Sequence, residues 1–228
     1  MKILMIGAGV LGSLYAARMQ EAGNQVTVLA RGRRIQELQQ NGILLEEGGT
    51  GKRTSTHVQV IEKLEIDDAY DLAIVLVRNN QLESVLPILA GNANIPSILF
   101  MVNNPSGPQA LIDAVGRERV LLGFPGAGGE REDEIIRFRI VAGFIQPTTI
   151  GELNGERTPR IRKISTELRS AGFPVSISSN MDAWLKTHLA VVSPVANAIY
   201  LAGGSNYQVV WLAHLLGDVT GLIALSVV

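Results

Sequence analysis

Six residues near the start of the chain have types and spacing that suit the binding of a nucleotide's phosphates. They are Gly7, Ala8, Gly9, Val10, Leu11 and Gly12. In such a G-x-G-x-x-G pattern the first glycine permits a tight turn, the second lets the backbone approach a pyrophosphate, and the third lets the following helix pack closely. The N-terminus of that helix points N–H groups at the phosphates. The pattern predicts a dinucleotide site, and the alternative is a glycine-rich turn that serves only close packing.

Basic residues stand where a site for NAD usually carries an acid, about twenty residues further on. The chain has Arg31, Arg33 and Arg34 there and no carboxylate. Guanidinium groups suit a 2′-phosphate, because they form charge-assisted and bidentate hydrogen bonds with it. We therefore favour NADP(H) over NAD(H), with Arg31 the best placed of the three. The alternative for Arg33 and Arg34 is a basic, solvated start to the next helix.

Polar residues also follow two apolar runs further along the chain. Residues 71–77 and 98–102 are predicted to be buried parallel strands, and they lead into Arg78, Gln81 and Asn103. Residues at the carboxyl ends of strands lie over the ligand crevice of an open α/β sheet. Arg78 and Gln81 are therefore candidates for cofactor contact. Asn103 could reach the nicotinamide or a substrate carbonyl, or it could cap the helix that follows.

A lysine in a later helical pattern could act as an acid. Lys186 lies near the start of the pattern over residues 181–201, close to a predicted change of domain. An ammonium there could protonate a carbonyl oxygen while hydride reaches its carbon. The alternative is an exposed ion pair with Asp182, four residues earlier. We expect His188 to be a packed or surface histidine and not a base.

The elements that would position these residues predict an α/β protein. A strand, the glycines, a helix from Val10 to about residue 22 and a second strand at residues 25–29 form a βαβ unit. We predict a Rossmann-type, doubly wound, mainly parallel sheet over residues 1–178 and a short all-helical C-terminal domain over residues 179–228. Other predicted features are strands at 43–46 and 56–61 and a glycine-rich mobile loop at 124–129. Antiparallel strands at 135–142 and 148–150, added to the parallel sheet, and a helix at 158–171 are also predicted.

Composition excludes several other classes of protein. Hydrophobic residues make up 46% of the 228 residues and the net charge is −1, so no nucleic-acid-binding surface is predicted. Without cysteine there is no disulfide, thiolate or cysteine-ligated zinc, and the three histidines are too scattered for a metal motif. Because the first predicted strand begins at residue 2, we expect no signal peptide and a cytoplasmic protein.

The C-terminal stretch, residues 209–228, is apolar on nearly every side. Its length would span a bilayer, but His214 and Asp218 near its middle argue against that. A helix of this kind must be buried on nearly every side. We therefore predict that it packs against a second copy, giving a homodimer.

Together these motifs resemble the ketopantoate reductase (2-dehydropantoate 2-reductase) family, from residue 1 to about residue 200. The resemblance rests on the glycine pattern, Arg31, Gln81, Asn103, Thr149-Ile150-Gly151 and Trp184-Leu185-Lys186. It implies an NADP-binding Rossmann domain, a helical C-terminal domain and reduction of a 2-keto acid to a 2-hydroxy acid in pantothenate synthesis. By the same resemblance Lys186 matches the catalytic lysine, Asn103 the active-site asparagine and Arg31 the 2′-phosphate ligand.

The chain departs from the family's pattern on the substrate side. Where the family has asparagines four and eight residues after the lysine, this chain has Ala190 and Pro194. Ser193 and Asn197 are candidates to bind substrate in their place, and Pro194 should bend or interrupt the helix. The family's later carboxylate and serine would lie beyond residue 228, so the helical domain is expected to be short. A non-catalytic protein that binds or senses NADP(H) is the alternative function.

Overall fold

The computed structural model describes residues 1–201, and beyond Val192 it gives the side chains of Pro194 and Asn197 alone. Residues 1–182 form one compact unit, and a second unit begins at Ala183. The domain boundary predicted at residue 178 and the homodimer through residues 209–228 stay predictions, since the latter segment lies outside the described residues.

Twelve strands and six α-helices make up the described chain. In order they are β1 (Lys2–Ile6), α1 (Val10–Glu21), β2 (Gln25–Leu29), α2 (Arg33–Asn41), β3 (Ile43–Glu47), β4 (Arg53–Thr56), β5 (Gln59–Ile61), β6 (Leu72–Val75), α3 (Leu82–Ala90), β7 (Ile98–Phe100), α4 (Gln109–Val115), β8 (Val120–Phe124), β9 (Ala127–Glu132), β10 (Ile135–Ile140), β11 (Thr148–Glu152), α5 (Pro159–Ser170), β12 (Val175–Ile177) and α6 (Met181–Leu201).

An eight-stranded sheet lies at the centre of the first unit, in the order β12-β11-β8-β7-β6-β1-β2-β5. Neighbouring strands are parallel, except that β11 runs antiparallel to β8. The six strands from β5 to β8 therefore have the 3-2-1-4-5-6 order of a doubly wound sheet, and the order reverses between β1 and β6. This arrangement confirms the predicted Rossmann-type fold class.

Helices cover the central strands on both sides, and the sequence of β1 shows why. Ile3, Leu4 and Met5 are each fully buried, as expected when consecutive side chains point to opposite, covered faces of a parallel sheet. On α1, the Tyr15 ring stacks on Phe173 at 4.0 Å between centroids. The Tyr15 hydroxyl also lies 2.6 Å from the Thr148 hydroxyl. The helix is thus fixed to β11 and to the segment before β12.

A second sheet of four strands, β4-β3-β10-β9, corrects three predictions. Residues 124–129 are not a mobile loop, because Phe124 ends β8 and residues from 127 onward pair antiparallel with β10. The strand predicted at 56–61 is divided: β4 pairs with β3, whereas β5 pairs with β2 in the main sheet. Residues 135–140 join the second sheet rather than the main one. Glycine in β9 is required by packing, since a Cβ on Gly129 would lie 2.4 Å from the carbonyl oxygen of Arg137.

Helix α6 continues through Pro194 to Leu201, so the predicted interruption at this proline is wrong, and the alternative, a bend, stays a prediction. The missing N–H at that position therefore costs one hydrogen bond without ending the helix. Within residues 1–201, no helix has both the length and the apolar character needed to cross a membrane.

Candidate functional site

The glycine-rich loop between β1 and α1 is shaped by close backbone contacts. Gly7 has a φ of +111°, and a Cβ there would lie 2.2 Å from the carbonyl oxygen of Leu76. A Cβ on Gly12 would lie 1.7 Å from the carbonyl oxygen of Gly7. Gly9 differs, because a Cβ there would meet nothing within 4 Å. Gly7 and Gly12 are therefore required by the fold, while Gly9 leaves open space above the loop.

The N-terminus of α1 carries no capping side chain and no acidic residue that would compete with a bound anion. Gly9 is the N-cap residue, no side chain caps the helix, and no acidic residue stands in the first turn. The first amide that bonds back is that of Ser13, which donates to the carbonyl oxygen of Gly9 at 2.9 Å. Uncapped N–H groups and the positive end of the helix dipole favour an anion. The loop therefore fits a pyrophosphate beside Gly9.

The predicted cofactor residues follow four neighbouring strands at one edge of the sheet. Arg31 follows β2, the glycine loop follows β1, Arg78 and Gln81 follow β6, and Asn103 follows β7. Ile6, the last residue of β1, is level with the last residues of β2 and β6. With strands about 4.8 Å apart, the row from β2 to β7 is about 14 Å long. The fold thus brings these residues to the same edge, on both sides of the point where the strand order reverses.

Arg78 and Gln81 are joined in a short turn. The Gln81 side-chain oxygen accepts a hydrogen bond from the Arg78 amide at 3.1 Å, and the Gln81 amide donates to the Arg78 carbonyl oxygen at 2.9 Å. Both residues are exposed at the sheet edge. The turn therefore fixes the backbone beside the glycine loop and leaves the Arg78 side chain facing solvent.

Asn103 does not cap a helix, which corrects that alternative. Helix α4 begins only at Gln109, because the preceding loop is organised by Asn104. The Asn104 side chain donates to the Gly107 carbonyl oxygen at 2.8 Å and accepts from the Ser106 amide at 3.1 Å. Within the described part of the chain, the exposed Asn103 side chain makes no hydrogen bond. Its amide is therefore available to a ligand.

Arg31 is exposed, and it makes no ion pair with any residue from 1 to 201. Its side chain lines a cavity of about 460 Å³ between α3 and the segment that follows β5. Lys63 lines the same cavity, two residues after the end of β5, just as Arg31 lies two residues after the end of β2. Since Leu29 and Ile61 are paired in these strands, the two cations stand at matching positions.

Arg33 and Arg34 differ from each other, although both bind the carboxylate of Glu37. Arg33 has an 83% exposed side chain and lies 3.0 Å from one Glu37 oxygen. The Arg34 side chain is only 11% exposed, so it is not part of a solvated helix start. It bonds instead to the glycine loop and α1. Neither this role of Arg34 nor that of Glu37 was predicted from the sequence. The spacing of three residues between them was the available signal.

The remaining predicted residues lie on α6, in the second unit. Lys186 is exposed in the first turns of the helix, and Asn197 is exposed further along. The side chain of Ser193 is outside what the structure describes. The Trp184 and His188 rings stack at 4.8 Å between centroids, and burial lowers the pKa of His188. The roles assigned to Lys186, Ser193 and Asn197 stay predictions.

Known proteins resemble this chain in sequence and in fold. It is 26% identical over 203 residues to the 2-dehydropantoate 2-reductase of Listeria innocua, which covers 88% of this chain and 66% of that relative. The chain thus spans less than two thirds of the relative's length. The crystal structure of 2-dehydropantoate 2-reductase from Methylococcus capsulatus superposes with a TM-score of 0.74 at 18% identity, over 90% of this chain and 65% of that one.

A second solved structure is named for a different activity. It is D-mandelate dehydrogenase in complex with NADH and anilino(oxo)acetate, with a TM-score of 0.73 at 20% identity, covering 84% of this chain and 61% of that one. The family model described as "Ketopantoate reductase PanE/ApbA" matches residues 3–155, which extend from β1 to just beyond β11 and include the whole row of site residues in the first unit. By this match, the chain belongs to the ketopantoate reductase PanE/ApbA family.

Proposed function

We propose that this chain is an NADPH-dependent oxidoreductase that reduces a small 2-keto acid, 2-dehydropantoate or a relative, to the 2-hydroxy acid. The observation that carries the proposal is the row of Arg31, the glycine loop, Arg78 with Gln81, and Asn103 along one sheet edge. In that order the row can bind a 2′-phosphate, a pyrophosphate and a nicotinamide.

The preference for NADPH rests on charge at the end of β2. Arg31 is exposed and has no carboxylate partner within residues 1–201, so it can meet a phosphate without first breaking an ion pair. No acid follows β2 at the position that usually holds a ribose 2′-hydroxyl, although Glu62 and Glu65, which follow β5, line the same cavity as Arg31. A bidentate guanidinium–phosphate contact would therefore favour NADPH over NADH.

The chemistry requires a hydride at the carbonyl carbon and a proton at its oxygen. A bound reduced nicotinamide supplies the hydride. The exposed amide of Asn103, at the end of the row, can orient the nicotinamide or the substrate carbonyl. Lys186 would donate the proton to the oxygen as negative charge develops there. The family match covers Asn103 but ends at residue 155, so the role of Lys186 rests on the sequence resemblance alone. The names of relatives support a 2-keto acid as the substrate class.

Residues of α6 can serve the substrate carboxylate. Asn197 lies about three helical turns after Lys186, which places both on one face of the helix together with Ala190. Asn197 can thus supply an amide on the face that carries the proposed acid. Ser193 falls on the same face by helical periodicity.

The proposal is tested by mixing the unmutated protein with NADPH and a series of 2-keto acids, 2-dehydropantoate included. Loss of absorbance from the reduced nicotinamide is expected for at least one acid, with slower loss from NADH. Binding of NADPH without turnover of any acid would instead support a non-catalytic NADP(H)-binding protein. Failure to bind either cofactor would contradict both functions.

Cofactor preference has its own test in Arg31→Ala. We expect this variant to bind NADPH about tenfold more weakly while its affinity for NADH changes little, because only the 2′-phosphate contact is lost. Isothermal titration of both cofactors measures the two constants. Arg117→Ala is the control: this exposed arginine precedes β8, at the opposite, amino end of the parallel strands, and its loss should leave both constants unchanged. Equal dissociation constants for the two cofactors in the unmutated protein would contradict the assignment.

A further inference from the structure

The Arg34 side chain joins helix α2 to the glycine loop. Its Nε donates to the carbonyl oxygen of Ala8 at 3.2 Å, and its Nη2 donates to the Ser13 hydroxyl at 3.1 Å. The Ser13 hydroxyl donates in turn to the same Ala8 carbonyl oxygen, at 3.3 Å. The Ala8 carbonyl oxygen therefore accepts two side-chain hydrogen bonds, one from Arg34 and one from Ser13.

A buried carboxylate fixes the guanidinium of Arg34. One oxygen of Glu37 accepts from Arg34 at 3.1 Å and from Arg131 of β9 at 2.7 Å, and the other lies 3.0 Å from Arg33. Burial acts to raise the pKa of the Glu37 carboxyl, but hydrogen bonds and charges from Arg34 and Arg131 outweigh it and lower the pKa. Glu37 is thus ionised at neutral pH and holds groups from two separate elements.

The Ala8 carbonyl and the Gly9 amide belong to the same peptide unit. In a trans peptide the C=O and N–H bonds point in opposite directions within one plane. Because Arg34 and Ser13 donate to the Ala8 carbonyl oxygen, the Gly9 N–H points away from these two side chains. Among the described residues this N–H donates to no acceptor, and a Cβ on Gly9 would meet nothing within 4 Å, so the amide is available to the proposed pyrophosphate.

We infer that Arg34 is a positioning residue for the dinucleotide pyrophosphate: it orients the Ala8–Gly9 peptide through the Ala8 carbonyl, and Glu37 holds it in place. This inference rests on the proposed function and extends it to residues that do not touch the cofactor. It differs from a role for Arg34 as a direct ligand of the 2′-phosphate, since its donors already bind Ala8, Ser13 and Glu37.

The inference predicts that Arg34 matters for one part of the cofactor only. The probes are 2′-phospho-ADP-ribose, which contains the pyrophosphate, and adenosine 2′-monophosphate, which lacks it. In Arg34→Met the affinity for 2′-phospho-ADP-ribose should fall about tenfold, because a charged hydrogen bond to the loop is lost. The affinity for adenosine 2′-monophosphate should stay within about twofold. Titration calorimetry on the full chain measures both.

Arg33→Met is the matched control, since Arg33 binds the same carboxylate but does not reach the loop. It should leave the ratio of the two affinities unchanged, because any contact of Arg33 with a 2′-phosphate would affect both probes equally. Arg34→Lys keeps the charge but carries all its donors on one nitrogen, so it cannot reproduce the guanidinium's separate bonds to Ala8, Ser13 and Glu37. It should recover part of the lost affinity, and it also serves as the test variant if Arg34→Met does not fold. Thermal denaturation of each variant identifies such a failure.

Three outcomes would overturn the inference. Equal losses for the two probes would make Arg34 a ligand of the 2′-phosphate or a residue needed only for folding. Unchanged affinities in Arg34→Met would mean that the loop keeps its orientation without the guanidinium. If the unmutated protein binds neither probe, the proposed function fails as well, so the failure of the inference alone is distinguishable from the failure of both.

Discussion

Three glycines within six residues are present for different steric reasons. Gly7 and Gly12 face backbone atoms so closely that a Cβ would overlap a carbonyl oxygen at 2.2 and 1.7 Å. Gly9 has no neighbour within 4 Å and an ordinary φ of −78°. Folding alone would therefore tolerate a side chain at Gly9, and under the proposed function the close approach of a pyrophosphate accounts for the glycine.

This difference predicts opposite effects of the same substitution. Gly12→Ala should lower the free energy of unfolding by about 3 kcal/mol or prevent folding, because the new methyl group overlaps the loop. Gly9→Ala should leave stability within about 0.5 kcal/mol but weaken NADPH binding about tenfold, since its methyl group occupies the space for the pyrophosphate. Urea unfolding and cofactor titration measure the two effects. Tight binding by Gly9→Ala would argue against a phosphate at this position.

Lys186 is the residue on which the proposed reaction depends. Lys186→Ala should lower kcat about 100-fold or more with little change in the Kd for NADPH, because proton donation matters in the transition state. Lys186→Arg keeps the positive charge but cannot release a proton, so it should be equally impaired. Steady-state kinetics with the best acid from the screen measures this. Normal turnover in either variant would remove Lys186 from the mechanism.

At the scale of elements, a buried carboxylate joins β11 to α5. Glu152 is 4% exposed and accepts hydrogen bonds from Arg160 Nε, at 2.7 Å, and from Thr158, the N-cap residue of α5. Arg160 also donates to the carbonyl oxygen of Glu118, before β8. Burial acts to raise the pKa of Glu152, but the bonds from Arg160 and Thr158 outweigh it and lower the pKa.

Glu152→Gln should therefore lower the free energy of unfolding by about 2 kcal/mol at neutral pH, the scale of hydrogen bonds to a charged group. Glu156→Gln, an exposed neighbour, is the control and should change it by less than about 0.5 kcal/mol. Because the folded pKa of Glu152 is lowered, its contribution is complete above the unfolded value of about 4.3 and is lost as pH falls through the folded value. Chemical unfolding at several pH values should show that the free energies of unfolding of the unmutated protein and of Glu152→Gln become equal in acid.

Elements fixed by local pattern were predictable, and those fixed by distant contacts were not. The βαβ unit was predicted because its strands are continuous apolar runs separated by a recognisable turn. By contrast, Gly128 and Gly129 were interpreted as a loop, although residues 127–132 form a strand by pairing with β10. In the site, Arg31 and the glycines follow from spacing. The Arg34 side chain is buried because it bonds to Ala8 and to Glu37, which also binds Arg131. No local pattern connects Arg34 to Ala8 or to Arg131.

At the scale of the whole molecule, cofactor binding should appear as added stability. A ligand that binds only the folded state at 100 times its Kd adds about 2.7 kcal/mol. For a protein of this size, that corresponds to a rise in Tm of about 5–10 °C. NADPH should give this shift in a thermal melt, and NADH at the same concentration should give a smaller one. Equal shifts would contradict the preference assigned to Arg31.

The ion pair between Glu37 and Arg131 also has a consequence for the order in which the protein is made. The two residues are 94 positions apart, and β3 pairs with β10 across a similar separation. Chains begin to fold from the N-terminus during synthesis. A nascent chain that ends at Phe124 holds the six strands of the doubly wound sheet but lacks the β9–β10 hairpin. The support that Glu37 gives to the glycine loop through Arg131 can therefore be completed only after this hairpin has emerged from the ribosome.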